Sequence, residues 1–328
     1  MTGRSASAWP LKVIIHAGPH KTGTTSVQTL VEEHRDFLVS RGIFVPERRD
    51  ASLVGHHVIA CLVMDISLAK LGVREAGQSL DKILGDWFAA ARNARADQLF
   101  ISAELFSFMD EQQWRDLEST LQSAADHSGV FVTRFTVHVT DREMSSRLRS
   151  LAAEMVNQGA TAPMSELVEF FATYIPGRDR VIAALPQILA TETTVSRIPL
   201  EGDAFTRRWF GHVFGSDVAN ELPSLAQEIQ LNQAKSPETL EEIRLFSVLN
   251  NPDGADPVFP FHRNFDDTPG LAGANARLFM VRPVFRVRDA YRAEREAQEP
   301  VVQGLRAEFA RLSDRRLRAR LRRLLLGR

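Results

Sequence analysis

His16-Ala-Gly-Pro-His-Lys-Thr-Gly-Thr-Thr-Ser26 decides how this chain folds. The run before it, Leu11-Lys-Val-Ile-Ile15, is short, apolar and β-branched, and reads as a buried strand. The run after it, Ser26-Val-Gln-Thr-Leu-Val-Glu-Glu33, reads as a helix. A glycine-containing turn between a strand and a helix N-terminus aims backbone N–H groups and the positive helix end at one point. That is a phosphate-binding geometry. Gly18 and Gly23 permit a tight backbone that approaches its ligand closely. Thr22, Thr24, Thr25 and Ser26 add hydroxyl donors, Lys21 adds a full positive charge, and His20 shapes the loop or donates to phosphate. The nucleotide-triphosphatase pattern needs its lysine directly after the second glycine. Thr24 stands there instead, and Lys21 lies two residues before Gly23, so the lysine reaches the phosphate from a different side.

Working outward, residues 41–46 form a short extended segment that ends at a proline, and residues 56–64 read as a helix. Residues 79–95 carry helical periodicity, with Leu80, Ile83, Leu84, Trp87, Phe88 and Ala91 on one face. Residues 98–102 form a second buried strand, with Glu104 at its exit. A helix over 114–125 leads to a third strand at 131–140. A helix over 143–158 stops at Gly159. Strands separated by helices make a parallel sheet with helices on both faces, and such sheets gather ligands at the carboxyl ends of their strands. Residues 20–25, Glu104 and Arg142 all fall there. The second half is less regular. Residues 165–174 read as helix, 179–189 fit neither pattern, 193–199 read as strand, and 203–214 and 236–249 as helices. Residues 250–275 form a long loop rich in Pro, Asp, Gly and Asn. The expected architecture is one α/β domain over 1–290, with a P-loop-like parallel sheet and a nucleotide-binding core at about 11–200, then a basic helical extension over 291–328. In that extension Leu317, Leu321, Leu324 and Leu325 share a face among arginines. It packs on the domain or rests weakly on an anionic surface.

Bulk composition narrows the class. The chain has 328 residues, 44% of them hydrophobic, enough for a substantial core. A net charge of −1 gives no bias toward nucleic acid. Cys61 is the only cysteine, which rules out an intramolecular disulfide and argues against a cysteine metal site. No apolar run has the length of a signal peptide core or a transmembrane helix, so the expectation is a cytoplasmic protein.

The His20-Lys-Thr-Gly-Thr-Thr-Ser26 string resembles the 5′-phosphosulfate loop of the sulfotransferases that use 3′-phosphoadenylyl sulfate (PAPS), closest to their bacterial and polysaccharide-type branch. The resemblance implies sulfuryl transfer from PAPS to a hydroxyl or amine of a carbohydrate or small metabolite, in line. It leaves adenosine 3′,5′-bisphosphate and needs no metal. That family carries an Arg at a strand end and a Ser eight residues on, which bind the 3′-phosphate; Arg142 and Ser150 have this spacing. Two positions depart from the pattern. Asp141 precedes Arg142 where the family has Leu, and Ala152 stands where it often has Tyr. Arg147 and Arg149 read as surface charges, with the alternative that either takes the role of Arg142. Lys21 suits the leaving phosphate. Glu104 stands where the family often places its general base, or else it stabilises a helix start capped by Ser102. His56 and His57 are rival bases, and His16 reads as structural. The segment from Asn232 to Glu238 also resembles the family, with no chemistry assigned to it. Two further readings stay open: a kinase using ATP–Mg on the same fold, and a non-catalytic nucleotide-binding scaffold. Acceptor identity and oligomeric state are not encoded legibly.

Overall fold

The structure, a computed structural model, describes residues 8–19, 23–47, 55–65, 78–157, 164–200 and 205–222, with single positions at Leu240, Pro300, Gln303 and Ala307. The helix expected over 236–249, the loop 250–275 and the basic extension 291–328 therefore lie outside the described residues, apart from those single positions.

Five strands carry the fold: β1 (Trp9–His16), β2 (Ile43–Phe44), β3 (Gln98–Ser102), β4 (Val130–Asp141) and β5 (Thr193–Pro199). All pair in parallel, in the order β2-β3-β1-β4-β5. This is the parallel α/β sheet that the sequence predicts. The stretch from Leu11 to Ile15 sits in the central strand because it is apolar on both faces: Val13 and Ile14 are both fully buried. β2 is only two residues long and forms one edge.

Helices fill the connections: α1 (Thr24–Glu33), α2 (Arg35–Ser40), α3 (His57–Val63), α4 (Leu80–Asn93), α5 (Glu111–His127), α6 (Met144–Asn157), α7 (Met164–Ile188), α8 (Phe205–Phe214) and α9 (Ser216–Asn220). A 3-10 turn, Glu104–Phe108, follows β3. Local chemistry explains where they start. Ser79 caps α4 by accepting from Lys82 N, and Asp110 and Gln113 form a capping box on α5. Along α4 the buried residues are Ile83, Leu84, Trp87, Phe88 and Ala91, the face expected from periodicity without Leu80.

The chain divides into two compact units, residues 1–142 with 178–231, and residues 143–177 with 232–328. The first holds the whole sheet. On one face, Ile14, Phe100 and Ile198 pack with Val27 and Leu30 of α1 and an aromatic group from α8. Trp209 is central to that group. Its ring lies edge-on to Phe100, Phe210 and Phe214 at 5.6–6.1 Å. α4 and α5 pack on each other and on β3 and β4.

The described part of the second unit is α6 and the first part of α7. Two expectations change here. The sequence suggests a helix over 165–174 and then ambiguity, yet α7 runs through Pro176 and Gly177 without a break. Its apolar stripe explains the continuity: Val168, Phe171, Ala172 and Ile175 before the proline continue in helical phase to Ile182 and Leu185 after it. The proline removes one backbone hydrogen bond, and the continuous stripe offsets that cost. Arg147, expected at the surface, is 5% exposed, whereas Arg149 is exposed as expected. Arg147 falls on the buried side because Leu148, Leu151 and Ala152 beside it set that face of α6. No described helix is long and apolar enough to cross a membrane.

Trp209 is fully buried at the centre of its aromatic cluster. Trp209→Ala is expected to cost about 3–5 kcal/mol of stability, with the urea slope unchanged. Equilibrium unfolding followed by far-UV circular dichroism checks this.

Candidate functional site

β1 lies between β3 and β4, so the loop that leaves its carboxyl end sits at the middle of the sheet. Residues 17–19 and Gly23 frame this loop, while His20, Lys21 and Thr22 lie outside the described residues. Gly23 is the N-cap of α1 with φ of 77°, in the left-handed region that glycine adopts without strain. Gly18 is needed for a different reason. A Cβ there would come to 2.7 Å from His16 Nε2 and closer still to Thr24 Oγ1. One motif glycine thus provides a torsion and the other a close approach. Thr24 is buried and its hydroxyl donates to Pro19 O at 3.4 Å, closing the loop across its base; Thr25 and Ser26 are half-buried. α1 has no side-chain cap and no acidic residue in its first turn. Its positive end carries no carboxylate of its own, which suits an anion.

Beneath the loop lies a polar network that the strand pattern alone does not announce. His16 is fully buried. Its Nδ1 sits 3.0 Å from Ser102 Oγ at the end of β3, and its Nε2 sits 3.4 Å from Thr140 Oγ1 near the end of β4. Gln28 of α1 donates through Nε2 to the same Ser102 oxygen at 2.9 Å. Burial pushes the His16 pKa down to about 3, against the pull of the Glu104 charge, so the ring is neutral. One register step along, His138 of β4 pairs with Ser196 of β5 at 2.6 Å and stands edge-on to His212 of α8. Burial, with repulsion from His212, lowers its pKa to about 3 as well.

The three candidate bases are placed differently. Glu104 opens the 3-10 turn directly past β3 and is half-buried amid buried Ala103, Leu105 and Phe106. Its charge reaches His16, at the foot of the loop. Ser102 does not cap that turn; Ala103 occupies the cap position, and the Ser102 hydroxyl is committed to His16 and Gln28. His56 has both nitrogens in use. Its Nδ1 accepts from Ser102 N at 2.9 Å and its Nε2 donates to Pro46 O at 3.0 Å, a pin between the β3 end and the chain after β2. His57 is buried at the start of α3, which packs on the turn that carries Glu104.

Arg142 is half-buried at the exit of β4, and its backbone N–H donates to Asp141 Oδ1 at 3.0 Å. The carboxylate of Asp141, which stands where the family has Leu, lies 3.8 Å from Arg197 on β5. Ser150 is a half-buried position of α6 in the second unit. The start of α6 is already filled: Glu143 accepts from the amides of Ser145 and Ser146, both at 2.8 Å, and from the Ser145 hydroxyl. The Ser145 hydroxyl first, then the two amides, hold its carboxyl down to about 2. A cleft of about 380 Å³ lies elsewhere, lined by Arg35, Asp36, Glu47, Asp86 and Trp87, with no lining residue from the loop. Among the described residues no cluster of His, Cys, Asp and Glu could hold a metal ion.

No family model, no curated protein and no solved structure matches this chain. What the site can do therefore rests on its own residues. Sequence reading located the loop and Glu104 but treated His16 only as structural. The missed signal is that a polar residue stands at or near the carboxyl end of each of the three central strands: His16, Ser102 and Thr140.

Two buried neutral imidazoles predict an acid-sensitive fold. In the unfolded chain His16 and His138 take up protons near pH 6.5, and in the fold only near 3. Between those values only the unfolded state binds the proton. Stability from this source is full above about pH 6.5 and falls toward pH 3, by up to about 1.4 kcal/mol per pH unit for each ring. Urea unfolding from pH 7 to pH 4 is expected to show this slope, and His138→Asn to make it shallower.

Proposed function

We propose that this protein is a sulfotransferase that moves the sulfuryl group of PAPS to a hydroxyl or amine of a carbohydrate or small-metabolite acceptor. One observation carries the reading. The uncapped α1 N-terminus opens from a left-handed Gly23 at the carboxyl end of the central strand, and the residue after that glycine is Thr24 rather than lysine. An anion is favoured there by the helix end and the loop amides. The lysine that would neutralise it comes from the opposite flank, in the order that resembles a phosphosulfate loop.

In this reading the 5′-phosphosulfate lies along residues 18–26. The acceptor oxygen or nitrogen attacks sulfur as the bond from sulfur to the 5′-phosphate oxygen breaks. The bonding pair leaves with the phosphate, where Lys21 and the α1 N-terminus stabilise the growing charge. The acceptor proton passes to a general base. Glu104 is favoured for that role over His57 by its half-exposed position past β3. His56 has no free lone pair to offer. Arg142 takes the 3′-phosphate through its guanidinium, and Ser150 is the hydroxyl that the family pattern pairs with it.

Calorimetric titration tests the reading, with adenosine 3′,5′-bisphosphate and ATP–Mg run in parallel. The bisphosphate is expected to bind, and Lys21→Ala to weaken it about 10- to 100-fold, the worth of a hydrogen bond to a charged group. Binding of ATP–Mg alone would move the protein to the kinases. Binding of the bisphosphate without transfer to any acceptor would leave a nucleotide-binding scaffold.

A further inference from the structure

The loop has two shoulders, the end of β1 before it and the first half of α1 after it, and both are tied to one oxygen atom. Ser102 Oγ lies 3.0 Å from His16 Nδ1 on the first shoulder and 2.9 Å from Gln28 Nε2 on the second. Ser102 belongs to neither. It stands at the end of the neighbouring strand β3, two residues before Glu104, and is 1% exposed. We propose that the Ser102 hydroxyl is a positioning group. It fixes the spacing of the loop's two shoulders and ties that spacing to the turn that carries Glu104.

Hydrogen-bond directions support this. Gln28 Nε2 can only donate, so Ser102 Oγ accepts from it. The Ser102 proton is then available to His16 Nδ1. That leaves His16 protonated on Nε2, which faces Thr140 Oγ1 at 3.4 Å. The chain runs one way, from α1 to β3, β1 and β4, and such chains strengthen cooperatively. Backbone bonds lock the same heights: Ala17 N donates to His138 O at 3.0 Å, and Ala103 N donates to His16 O at 3.1 Å. Gly18 then rests against the His16 ring, so the ring sets the floor of the loop. Removing the hydroxyl would release Gln28 and His16 together while deleting a single atom.

A purely structural serine would lower stability without selective effect on the loop; a positioning serine couples Gln28 to ligand binding. The role rests on the anion-binding reading of the loop, so the experiment has two arms. In the first, adenosine 3′,5′-bisphosphate is titrated into wild type, Ser102→Ala, Gln28→Met and the double variant, with Ser102→Thr as the hydroxyl-retaining rescue. Each single change is expected to weaken binding about tenfold, the double change no more than either alone, and Ser102→Thr to recover most of the loss. Folded Ser102→Ala that binds within about twofold of wild type, or fully additive losses, would overturn the proposal. The second arm needs no ligand: amide hydrogen exchange of Ala17 and Val27 is expected to speed up together in both single variants, Gln28→Met serving if Ser102→Ala does not fold. Unchanged exchange sinks the brace. Failure of the wild type to bind any nucleotide sinks the sulfotransferase reading instead and leaves the exchange arm to decide the brace.

Discussion

A buried imidazole is least costly as a neutral ring with hydrogen-bond partners at both nitrogens. His16 meets that constraint through Ser102 and Thr140, and much else follows from it. β3 must end at the height of β1, since Ser102 is the register partner of His16, while β4 runs three residues beyond its own partner His138 and so brings Thr140 to the ring. The residue two beyond His16 must be glycine, because the ring and Thr24 fill the space a side chain would need. α8 must present an aromatic lid, and Trp209 does so edge-on to the ring at 4.9 Å. Gly18 and Thr24, on either side of the loop, thus rest against a buried polar junction.

The parallel sheet was legible because β1 and β3 are short, mostly apolar runs, β4 alternates at Phe135, Val137 and Val139, and the helices between them are amphipathic, patterns that do not resemble one another. β1, β3, β4 and β5 lie where those runs lie, and α4 buries the face its spacing predicts, save Leu80. Signals failed where one residue's local rule competed with a longer pattern. Residues 165–174 read as a helix and 179–189 fit neither pattern, but the apolar stripe on either side of Pro176 keeps one phase through α7. Arg147 carries a charge, yet its neighbours on α6 determine which face is covered. The junction under the loop was illegible for another reason. A lone His, Ser or Thr at a strand end looks like ordinary strand-exit chemistry, and only the register that sets His16 beside Ser102 and near Thr140 turns three such residues into one network.

The candidate site divides along the same line. Loop glycines, threonines and the carboxylate past β3 could be found in sequence because each obeys a rule of spacing. Weighing the candidate bases needed coordinates: His56 stands in sequence as a rival to Glu104, the leading candidate, and only its two hydrogen bonds show both ring nitrogens to be occupied.

Two helix N-termini of this chain handle the same electrostatic problem in opposite ways. α1 begins with a glycine, carries no acid in its first turn and has no side-chain cap. α6 begins under Glu143, whose carboxylate takes the Ser145 and Ser146 amides and is held ionised well below the usual range. An incoming anion at α6 would compete with a carboxylate already in place, whereas the first turn of α1 carries no carboxylate of its own. In the proposed reaction the weight of donor binding therefore falls on the 5′-phosphosulfate and the loop that holds it. That asymmetry places the strongest electrostatic stabilisation at the phosphate that leaves, which is where charge grows as the sulfuryl group departs.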